Sequence, residues 1–375
     1  MQEISLSQAK AAKRRAQRRG QRDSSPYVDP DQQRIRPDTH ADSIEDQYLS
    51  ARDGVNLREE AATEKGRAKS WSDVIDAFED YIWRQQKAAD TWFDEKGVRP
   101  SSHRFTEEAA KDRHGRTLGV DRAARKLWGE DVTTVHVVRR ARAFGENGQP
   151  QPPADHLADL LDGNSAVYAA YQRHIADHHG LTYARLSVLE PHSNGYAHLH
   201  DALWVHDPEG VVGETDIYPA VDAHVRAVDQ ARPRYHGPDA VEVRHNPARR
   251  EYDGDPDGVP LATALPREMT KYLGGFGPDD GERSNPSVPN VLQSDRGPMR
   301  FFALLWATGI RQWRPDQSVF PHLVNASQGW WGEDGEDDDE TYAVPEDIDN
   351  SGGGPEKVTI NSRPVAFEPL EADAP

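Results

Sequence analysis

Two histidines separated by one residue are the part of this sequence best suited to chemistry. His198 and His200 lie in the run Gly195-Tyr196-Ala197-His198-Leu199-His200, and the residues from Tyr196 to Val205 predict a β-strand. Side chains alternate between the two faces of a strand, so both imidazoles point to one side while Leu199 points into the core. Two neutral imidazoles on one face are suitable ligands for a divalent cation. We therefore predict a metal site, with two unrelated surface histidines as the alternative interpretation.

A third ligand is expected on the preceding strand. Residues 182–190 predict a strand that ends at Glu190, and the following loop contains Asn194-Gly195, a pair typical of β-hairpins. Glu190 would then lie across the hairpin from the histidines and offer a carboxylate oxygen. His192 is the alternative third ligand, and it is the poorer one because it lies in the turn. Two nitrogens and one oxygen with open positions suit Mg²⁺ or Mn²⁺ acting on a phosphate.

The stretch from Leu186 to Val205 resembles the second motif of the HUH endonucleases, and more narrowly the rolling-circle replication initiators (Rep proteins) of haloarchaeal plasmids and viruses. In that family a helix carries the nucleophilic tyrosine, usually as Lys-Tyr-Leu-x-Lys-Tyr. Here the corresponding run is Thr270-Lys271-Tyr272-Leu273-Gly274-Gly275-Phe276. The resemblance therefore implies that Tyr272 is the nucleophile. The first family motif corresponds loosely to Val132–Val137, to which we assign no chemistry.

The tyrosine run departs from the family pattern at two positions. Phe276 stands where a second tyrosine is usual, which implies a single-tyrosine enzyme. Gly275 stands where a charge-stabilising lysine is usual. Lys271 or Arg267 could substitute for that lysine, although neither is in register. The glycine pair at 274–275 predicts that the helix ends just after the nucleophile.

The resemblance implies metal-assisted transesterification at one phosphodiester of a plasmid or viral origin. His198, His200 and Glu190 would hold Mg²⁺ or Mn²⁺ as a Lewis acid against a non-bridging phosphate oxygen. The phenol of Tyr272 would attack in line and leave a 5′-phosphotyrosyl enzyme with a free 3′-OH. The expected partner is single-stranded or hairpin origin DNA. Because the chain has no Gly-x-x-x-x-Gly-Lys-Ser/Thr motif, the host would supply the helicase as well as the polymerase.

Basic residues near the tyrosine are candidates for DNA contacts. Lys271 and Arg267 belong to the tyrosine run, while Arg311 and Arg314 follow a segment with helical apolar spacing. Together with Trp313, the two later arginines could bind single-stranded DNA through phosphate contacts and stacking. A packed helix with a basic end is an equally weighted alternative.

The composition is acidic and polar. The 375 residues carry a formal net charge of −19, with 35 arginines against 10 lysines and no cysteine. This balance resembles that of proteins from extreme halophiles. In molar salt the Debye length is about 3 Å, so the charge is only weak evidence against a nucleic-acid partner. The absence of cysteine excludes disulfides and thiolate chemistry. Because we find neither a signal peptide nor an apolar run of about 18 residues, we expect no membrane association and predict a cytoplasmic location.

The order of predicted elements indicates an α+β fold, in which helices flank an antiparallel sheet as in the HUH/Rep nucleases. Strands are predicted at 131–138, 182–190, 196–205 and 240–245, and helices from Ser70, at 106–127, 155–178, 217–230, 263–274 and 298–311. The first helix is expected to bury the apolar residues Trp71, Val74, Ile75, Phe78, Tyr81, Ile82 and Trp83.

Composition divides the chain into four segments. Residues 1–68 are predicted to be a basic, largely disordered arm and linker, and residues 69–128 a helical accessory region. Residues 129–327 would form the HUH endonuclease domain. Residues 328–375 contain the acidic block 333–340 and are predicted to be a disordered tail.

Three alternative functions are weighed, and the sequence counts strongly against the second of them. A plasmid relaxase or a single-strand transposase of the HUH type would use the same chemistry. A nucleotide hydrolase of the histidine-triad type needs a third histidine at position 202, where the sequence has Ala202. A non-catalytic DNA-binding relative with a vestigial metal site is kept open as a minor alternative by the missing lysine at 275.

Overall fold

The histidine strand lies at the centre of a five-stranded antiparallel sheet in the computed structural model. The structure describes residues 44–52, 56–63, 66–96, 103–145, 148–249, 261–273 and 289–327. Its strands are β1 (Val132–Arg139), β2 (Tyr183–Pro191), β3 (Ala197–His206), β4 (Val241–His245) and β5 (Trp313–Pro315). Its helices are α1 (Trp71–Lys96), α2 (Glu107–Trp128), α3 (Pro153–Asp162), α4 (Asn164–Tyr171), α5 (Glu214–Ala227), α6 (Leu265–Thr270), α7 (Arg296–Thr308) and α8 (Val319–Ser327).

The strand order is β4-β1-β3-β2-β5, so β3 has a partner on each side. The hairpin between β2 and β3 pairs Glu190 directly with His198, and Val188 with His200. On the other side, β1 pairs Val138 with His200. The predicted α+β fold with an antiparallel sheet and flanking helices is therefore confirmed.

Both faces of the sheet are covered by other parts of the chain. Every residue of β3 except His206 is buried. On the face of His198 and His200, apolar side chains of α2, α6 and α8 pack against the strands. On the opposite face, α1, α3 and α7 cover the hairpin end, and α4 with α5 covers the remainder. The histidines are therefore enclosed by a helical layer, and most of their surface is shielded from water.

Helix α1 begins as its sequence predicts. The Ser70 hydroxyl accepts a hydrogen bond from the Asp73 amide at 3.1 Å, which satisfies one of the free N–H groups of the first turn. Trp71 and Phe78 are fully buried against α7. Trp83, which was expected in the core, is 44% exposed because it lies on the outer side of the helix.

The single helix predicted over 155–178 is two helices joined at Gly163. A Cβ at this position would meet Val228 Cγ2 at 2.9 Å, so the absence of a side chain permits the close approach of the segment after α5. The chain then continues beyond α4 as a π-helical segment over Gln172–Asp177. Tertiary packing at one glycine thus overrides a continuous helical pattern.

Helix α7 ends earlier than predicted, at Thr308. Gly309 adopts a left-handed conformation with φ of 69°, the usual helix terminator. Arg311 and Arg314 therefore lie beyond the helix, and Arg314 belongs to the edge strand β5. The indole of Trp313 donates a hydrogen bond to Thr117 at 3.2 Å and packs in the core. The stacking role considered for this tryptophan is thus unsupported.

The turn that leads into β3 is held by two glycines that allow a close backbone approach. Gly195 has a φ of +92°, and a Cβ there would lie 2.5 Å from Arg300 Cβ. Gly297, in the first turn of α7, would place a Cβ 2.3 Å from the Ser193 carbonyl oxygen. The hairpin and α7 therefore pack at a distance that side chains at these positions would prevent.

Among the described residues, no helix is both long enough and apolar enough to cross a membrane. The helices of the predicted accessory region, α1 and α2, share hydrophobic clusters with the sheet and with α6, α7 and α8. The acidic tail predicted over 328–375 lies outside the described residues, as do residues 1–43 of the predicted arm and linker. The structure describes 44–52, 56–63 and 66–68 of that segment, and there Ile44, Leu49 and Ala61 are buried in the core.

Candidate metal centre

Glu190, His198 and His200 converge at the hairpin end of the sheet. One ligand atom from each residue can be chosen so that all three lie within 4.8 Å of one another. Glu190 Oε2 is 3.3 Å from His200 Nε2 and 3.9 Å from His198 Nε2. The side chains are only 2%, 10% and 6% exposed for Glu190, His198 and His200 respectively. The antiparallel register produces this cluster, because it pairs Glu190 with His198 and leaves His200 on the same face.

Three polar atoms of this cluster are buried without a hydrogen-bond partner. They are Glu190 Oε1, His198 Nδ1 and His200 Nε2. A buried polar atom without a partner costs free energy, so such atoms are rare in folded proteins. Of the three, His200 Nε2 is also the nitrogen that lies 3.3 Å from Glu190 Oε2, and nitrogen and carboxylate donors at this spacing fit a divalent cation. The buried group could therefore hold a metal ion.

A third imidazole, which the sequence did not reveal as functional, supports His200 from the neighbouring strand. His136 lies in β1 directly opposite Ala202, and its Nε2 is 2.8 Å from His200 Nδ1. If His200 Nε2 binds a cation, its Nδ1 carries the proton and donates this hydrogen bond to His136. Such an outer hydrogen bond fixes the tautomer and the ring orientation of a metal-ligating histidine. A histidine within a strand of β-branched residues was the available signal, but the strand order was needed to interpret it.

His192, the alternative third ligand, occupies a different place. Its ring stacks on that of His198 with the centroids 4.2 Å apart, and its amide donates a hydrogen bond to the Tyr196 carbonyl within the turn. It is absent from the cluster whose ligand atoms converge. The stacked ring instead restricts the orientation of the His198 imidazole.

Behind the cluster, a buried ion pair anchors β3 to its neighbours. Asp201 points to the opposite face from His200 and accepts two hydrogen bonds from Arg139, at 2.8 and 3.0 Å. Both side chains are fully buried. Tyr171 and Ser187 donate further hydrogen bonds to Asp201, at 2.9 and 2.6 Å. Burial raises the pKa of Asp201, but the charge and hydrogen bonds of Arg139 and the bond from Ser187 outweigh it and keep the pKa below its usual value.

Lys271 and Tyr272 lie beside the cluster, but not on a helix. Helix α6 ends at Thr270, two residues before the expected nucleophile, so the prediction of a helix over 263–274 was wrong at its C-terminal end. The ammonium group of Lys271 is 3.9 Å from Glu190 Oε2 and 5.2 Å from the centre of the Tyr272 ring, and it contacts Glu268. Gly274, Gly275 and Phe276 lie outside the described residues.

Side chains from other parts of the chain hold this segment at Thr270 and at Tyr272. Thr270 Oγ1 lies 2.7 Å from the ring nitrogen Nδ1 of His114, which belongs to α2. The side-chain amide of Gln312 donates hydrogen bonds to the carbonyl oxygens of Tyr272, at 2.9 Å, and of Leu189, at 3.2 Å. Gln312 therefore links the Tyr272 backbone to Leu189, the residue before Glu190 on β2. Tyr272 is held in this way against the strand that carries the acidic ligand.

The other predicted DNA contacts are less closely grouped. Arg267 is exposed on α6, and Arg311 is exposed just before β5. In the strand register, Arg314 lies opposite Ser187. The Ser187 hydroxyl donates a hydrogen bond to Asp201, so this pair of positions belongs to the face of the sheet opposite to His200. Lys271, whose ammonium group is 3.9 Å from Glu190 Oε2, is the predicted basic residue that contacts the cluster directly.

A comparison with known families identifies the chain. Residues 49–343 match the model of a family described as "Putative rep protein (DUF1424)". The match covers most of the sequence. The chain belongs to this family.

Two relatives of this Rep-like chain come from halobacteria. A protein of Halobacterium salinarum named "Uncharacterized 36 kDa protein" is 28% identical over 284 residues, which covers 72% of this chain and 83% of that protein. A protein of the same name from Halobacterium sp. (strain GN101) is 27% identical over 292 residues, covering 72% of this chain and 82% of that protein. No solved structure matches the chain significantly.

Burial keeps the three predicted ligands of this Rep-like chain uncharged when no cation is bound. It lowers the pKa of His200 to about 2, with the charges of His136 and Lys271 adding to the effect. It lowers the pKa of His198 well below its usual value. Burial also raises the pKa of Glu190 to about 8, although the charge of Lys271 opposes the shift. At neutral pH the short distance between Glu190 and His200 therefore joins two neutral groups.

The affinity for Mn²⁺ is expected to depend on pH because binding must displace the Glu190 proton. Below a pKa of about 8 the carboxyl holds this proton, so the affinity should fall about tenfold per pH unit as the pH decreases. Above that pKa the affinity should level off, since the histidines are already neutral. Calorimetric titration with Mn²⁺ in buffers of different ionisation enthalpy would count the proton released. Glu190→Gln should bind Mn²⁺ more weakly and without this dependence, and an equally steep dependence in that variant would contradict the assignment.

Proposed function

We propose that this chain initiates rolling-circle replication by nicking and rejoining one strand of origin DNA, as an enzyme of the HUH type. Membership of a family described as Rep proteins supports the replication role. The observation that carries the chemistry is the buried Glu190-His198-His200 cluster with the Lys271 ammonium lying between it and Tyr272. The Lys271 ammonium lies 3.9 Å from Glu190 Oε2 and 5.2 Å from the centre of the Tyr272 ring, so a positive charge adjoins both the cation ligands and the tyrosine.

In this proposal Tyr272 is the nucleophile. Its phenol oxygen forms a bond to phosphorus while the bond from phosphorus to the 3′-oxygen breaks, which yields a 5′-phosphotyrosyl enzyme. The leaving 3′-oxygen takes up a proton and the phenol gives one up, so the step is balanced. Attack of the 3′-OH on the phosphotyrosine reverses the reaction and rejoins the strand.

Glu190, His198 and His200 would hold a divalent cation, Mg²⁺ or Mn²⁺. When bound, the cation supplies Lewis-acid polarisation of a non-bridging phosphate oxygen. His136 keeps the His200 ring oriented toward it. The buried position of the ligands excludes water and strengthens the electrostatic interactions at the reacting phosphate.

Lys271 takes the place of the lysine that is missing at position 275. Burial lowers its pKa, but the hydrogen bond to Glu268 and the charge of Glu190 outweigh this effect, so the pKa is raised. The side chain therefore remains an ammonium ion at neutral pH and is unsuited to accept the Tyr272 proton. Its role is to stabilise the negative charge that develops on the tyrosine and the phosphate.

The test is covalent trapping of labelled DNA. Single-stranded oligonucleotides that tile the DNA flanking the gene are incubated with the protein and Mn²⁺ in molar KCl, and the products are separated on a denaturing gel. A strand labelled at its 3′ end should migrate with the protein, whereas a strand labelled at its 5′ end should only become shorter. Tyr272→Phe should form no adduct because the attacking oxygen is gone.

Tyr48→Phe is the matched control, because Tyr48 is 67% exposed and lies outside the cluster. It should form the adduct at the wild-type rate. An adduct that persists in Tyr272→Phe would show that another residue attacks the phosphate. No adduct with any tiled strand in the wild type would contradict the nicking function itself.

A further inference from the structure

Four arginines gather around the C-terminal end of α7. Arg104 donates hydrogen bonds to the carbonyl oxygens of Leu305, Gly309 and Ile310, at 2.6, 3.2 and 3.0 Å. Arg58 donates one to the Trp306 carbonyl at 2.9 Å, and Arg113 donates one to the carbonyl of Arg104 at 3.2 Å. Arg311 follows directly on the same backbone. We call Arg58, Arg104, Arg113 and Arg311 the arginine cluster.

The cluster holds more positive charge than the helix end requires. The C-terminus of a helix carries about half a negative charge, which Arg104 alone would more than offset. None of the four guanidinium groups forms an ion pair with a carboxylate of the described residues. The acidic groups at the edge of the cluster are Glu60 near Tyr81, Glu108 near His103, and Asp112, which acts on Arg113 and pairs with Arg116. In a chain of net charge −19, such a concentration of unpaired positive charge is unexpected from composition.

The like charges are close enough to affect one another. Burial lowers the pKa of Arg104 to about 10, and the charges of Arg58, Arg113 and Arg311 contribute to that decrease. Arg58 and Arg311 are exposed, so their guanidinium groups remain accessible to a ligand. The mutual repulsion would be relieved by an anion.

The cluster is continuous with the proposed nicking site. Gln312, the neighbour of Arg311, binds the Tyr272 carbonyl. His114, the neighbour of Arg113, contacts Thr270 two residues before the tyrosine. Arg311 and Arg113 are thus chain neighbours of the two residues that hold the tyrosine segment. Arg104 links them, because it donates to the Ile310 carbonyl and accepts a hydrogen bond from Arg113 at its own carbonyl.

We infer that the arginine cluster binds the phosphate backbone of the DNA strand next to the nicked phosphodiester, an inference that rests on the proposed function. Guanidinium groups bind phosphate oxygens through paired N–H donors, and such contacts fix the position of a strand without reading its sequence. In this role Arg58 and Arg311 contact phosphates directly, while Arg104 and Arg113 hold the cluster together.

The test measures the salt dependence of DNA binding. A fluorescein-labelled oligo(dT) strand is titrated, by fluorescence anisotropy over a range of KCl concentrations, with the Mn²⁺-loaded Tyr272→Phe protein, which leaves the strand uncut. Log K falls as log [salt] rises, and each phosphate contact that is lost on a single strand reduces the steepness of this fall by about 0.7. Adding Arg58→Gln and Arg311→Gln together should therefore lower the slope by about 1.4. Glutamine can still donate to the Trp306 carbonyl, so the fold should be preserved, and denaturant titration would verify this.

Arg173→Gln provides the control, because Arg173 is exposed on the π-helical segment over the other face of the sheet. It should leave the slope unchanged. An unchanged slope in the folded Arg58→Gln/Arg311→Gln protein would overturn the inference, and would instead favour an acidic protein partner for the cluster. Because the readout is equilibrium binding, this failure is distinct from a failure of nicking. If the wild type nicks DNA and the double variant keeps the wild-type salt dependence of binding, only the inference about the arginine cluster is refuted. If the double variant shows a weaker salt dependence and the wild type forms no covalent adduct, only the nicking function is refuted.

Discussion

Replacing His200 by alanine is expected to abolish Mn²⁺ binding and to lower the rate of strand nicking by about 10³-fold. The size of this decrease follows from the several kcal/mol by which a Lewis acid stabilises the transition state, because about 1.4 kcal/mol corresponds to a factor of ten in rate. His200 is the ligand nearest to Glu190, at 3.3 Å, and its removal would leave one nitrogen and one oxygen donor. Binding would be measured by calorimetry and nicking by the rate of appearance of the shortened strand.

A weaker variant of the same site should give a graded response. His136→Ala removes the hydrogen bond to His200 and the ring that stacks on it with the centroids 5.0 Å apart, and loss of such an outer partner typically costs 10–100-fold in metal affinity. His136→Gln should restore part of the affinity, because its amide oxygen can accept the proton of His200 Nδ1. His178→Ala is the control, since His178 is exposed beyond the π-helical segment on the other face of the sheet. If His200→Ala binds Mn²⁺ and nicks DNA like the control, the histidine strand is structural.

Asp201→Asn is expected to reduce the free energy of unfolding by about 3–5 kcal/mol, the usual cost of leaving a buried charge without its partner. Arg139 would remain fully buried with its positive charge uncompensated, since its other hydrogen bond goes to the neutral side chain of Asn164. Desolvation of the guanidinium would then have nothing to offset it. The change would be measured from urea unfolding followed by circular dichroism, at high salt to maintain the folded state.

An exposed pair of the same residue types supplies the comparison for Asp201→Asn. Arg52 and Asp159 are 2.6 Å apart, but the arginine is 48% exposed. Asp159→Asn should change the free energy of unfolding by less than about 1 kcal/mol, because water and salt screen this pair. Equal effects of the two substitutions would show that the buried pair contributes no more than the exposed one.

The secondary structure at the centre of the molecule could be predicted from local patterns. Alternating apolar residues predicted β2 and β3, and Asn194-Gly195 predicted the turn between them. These signals depend on neighbours in the chain, which is why they were reliable. Helix ends were less so. Gly163 interrupts a helix because of packing against Val228, and α6 stops at Thr270 although its periodicity continues.

The His198-Leu199-His200 spacing by itself determined that two imidazoles share one face, because the strand period is two residues. The hairpin signal added Glu190, since an antiparallel hairpin dictates which residues are opposite each other. The resemblance added Tyr272 as the candidate nucleophile, and its attacking role stays a prediction. All of these inferences use residues that are close in sequence or a motif that can be read from it.

Only the tertiary structure decided which distant residues surround the histidines. His136 is 64 positions from His200 in sequence, yet it bonds to that ring because β1 pairs with β3. Gln312 reaches Tyr272 because β5 pairs with β2, and Lys271 reaches Glu190 because α6 packs on the same face of the sheet. Strand order and helix packing are set by burial of apolar surface across the whole chain, so no local pattern specifies them. The two histidines could therefore be identified from sequence, whereas the residues that orient their rings and place a positive charge beside them could not.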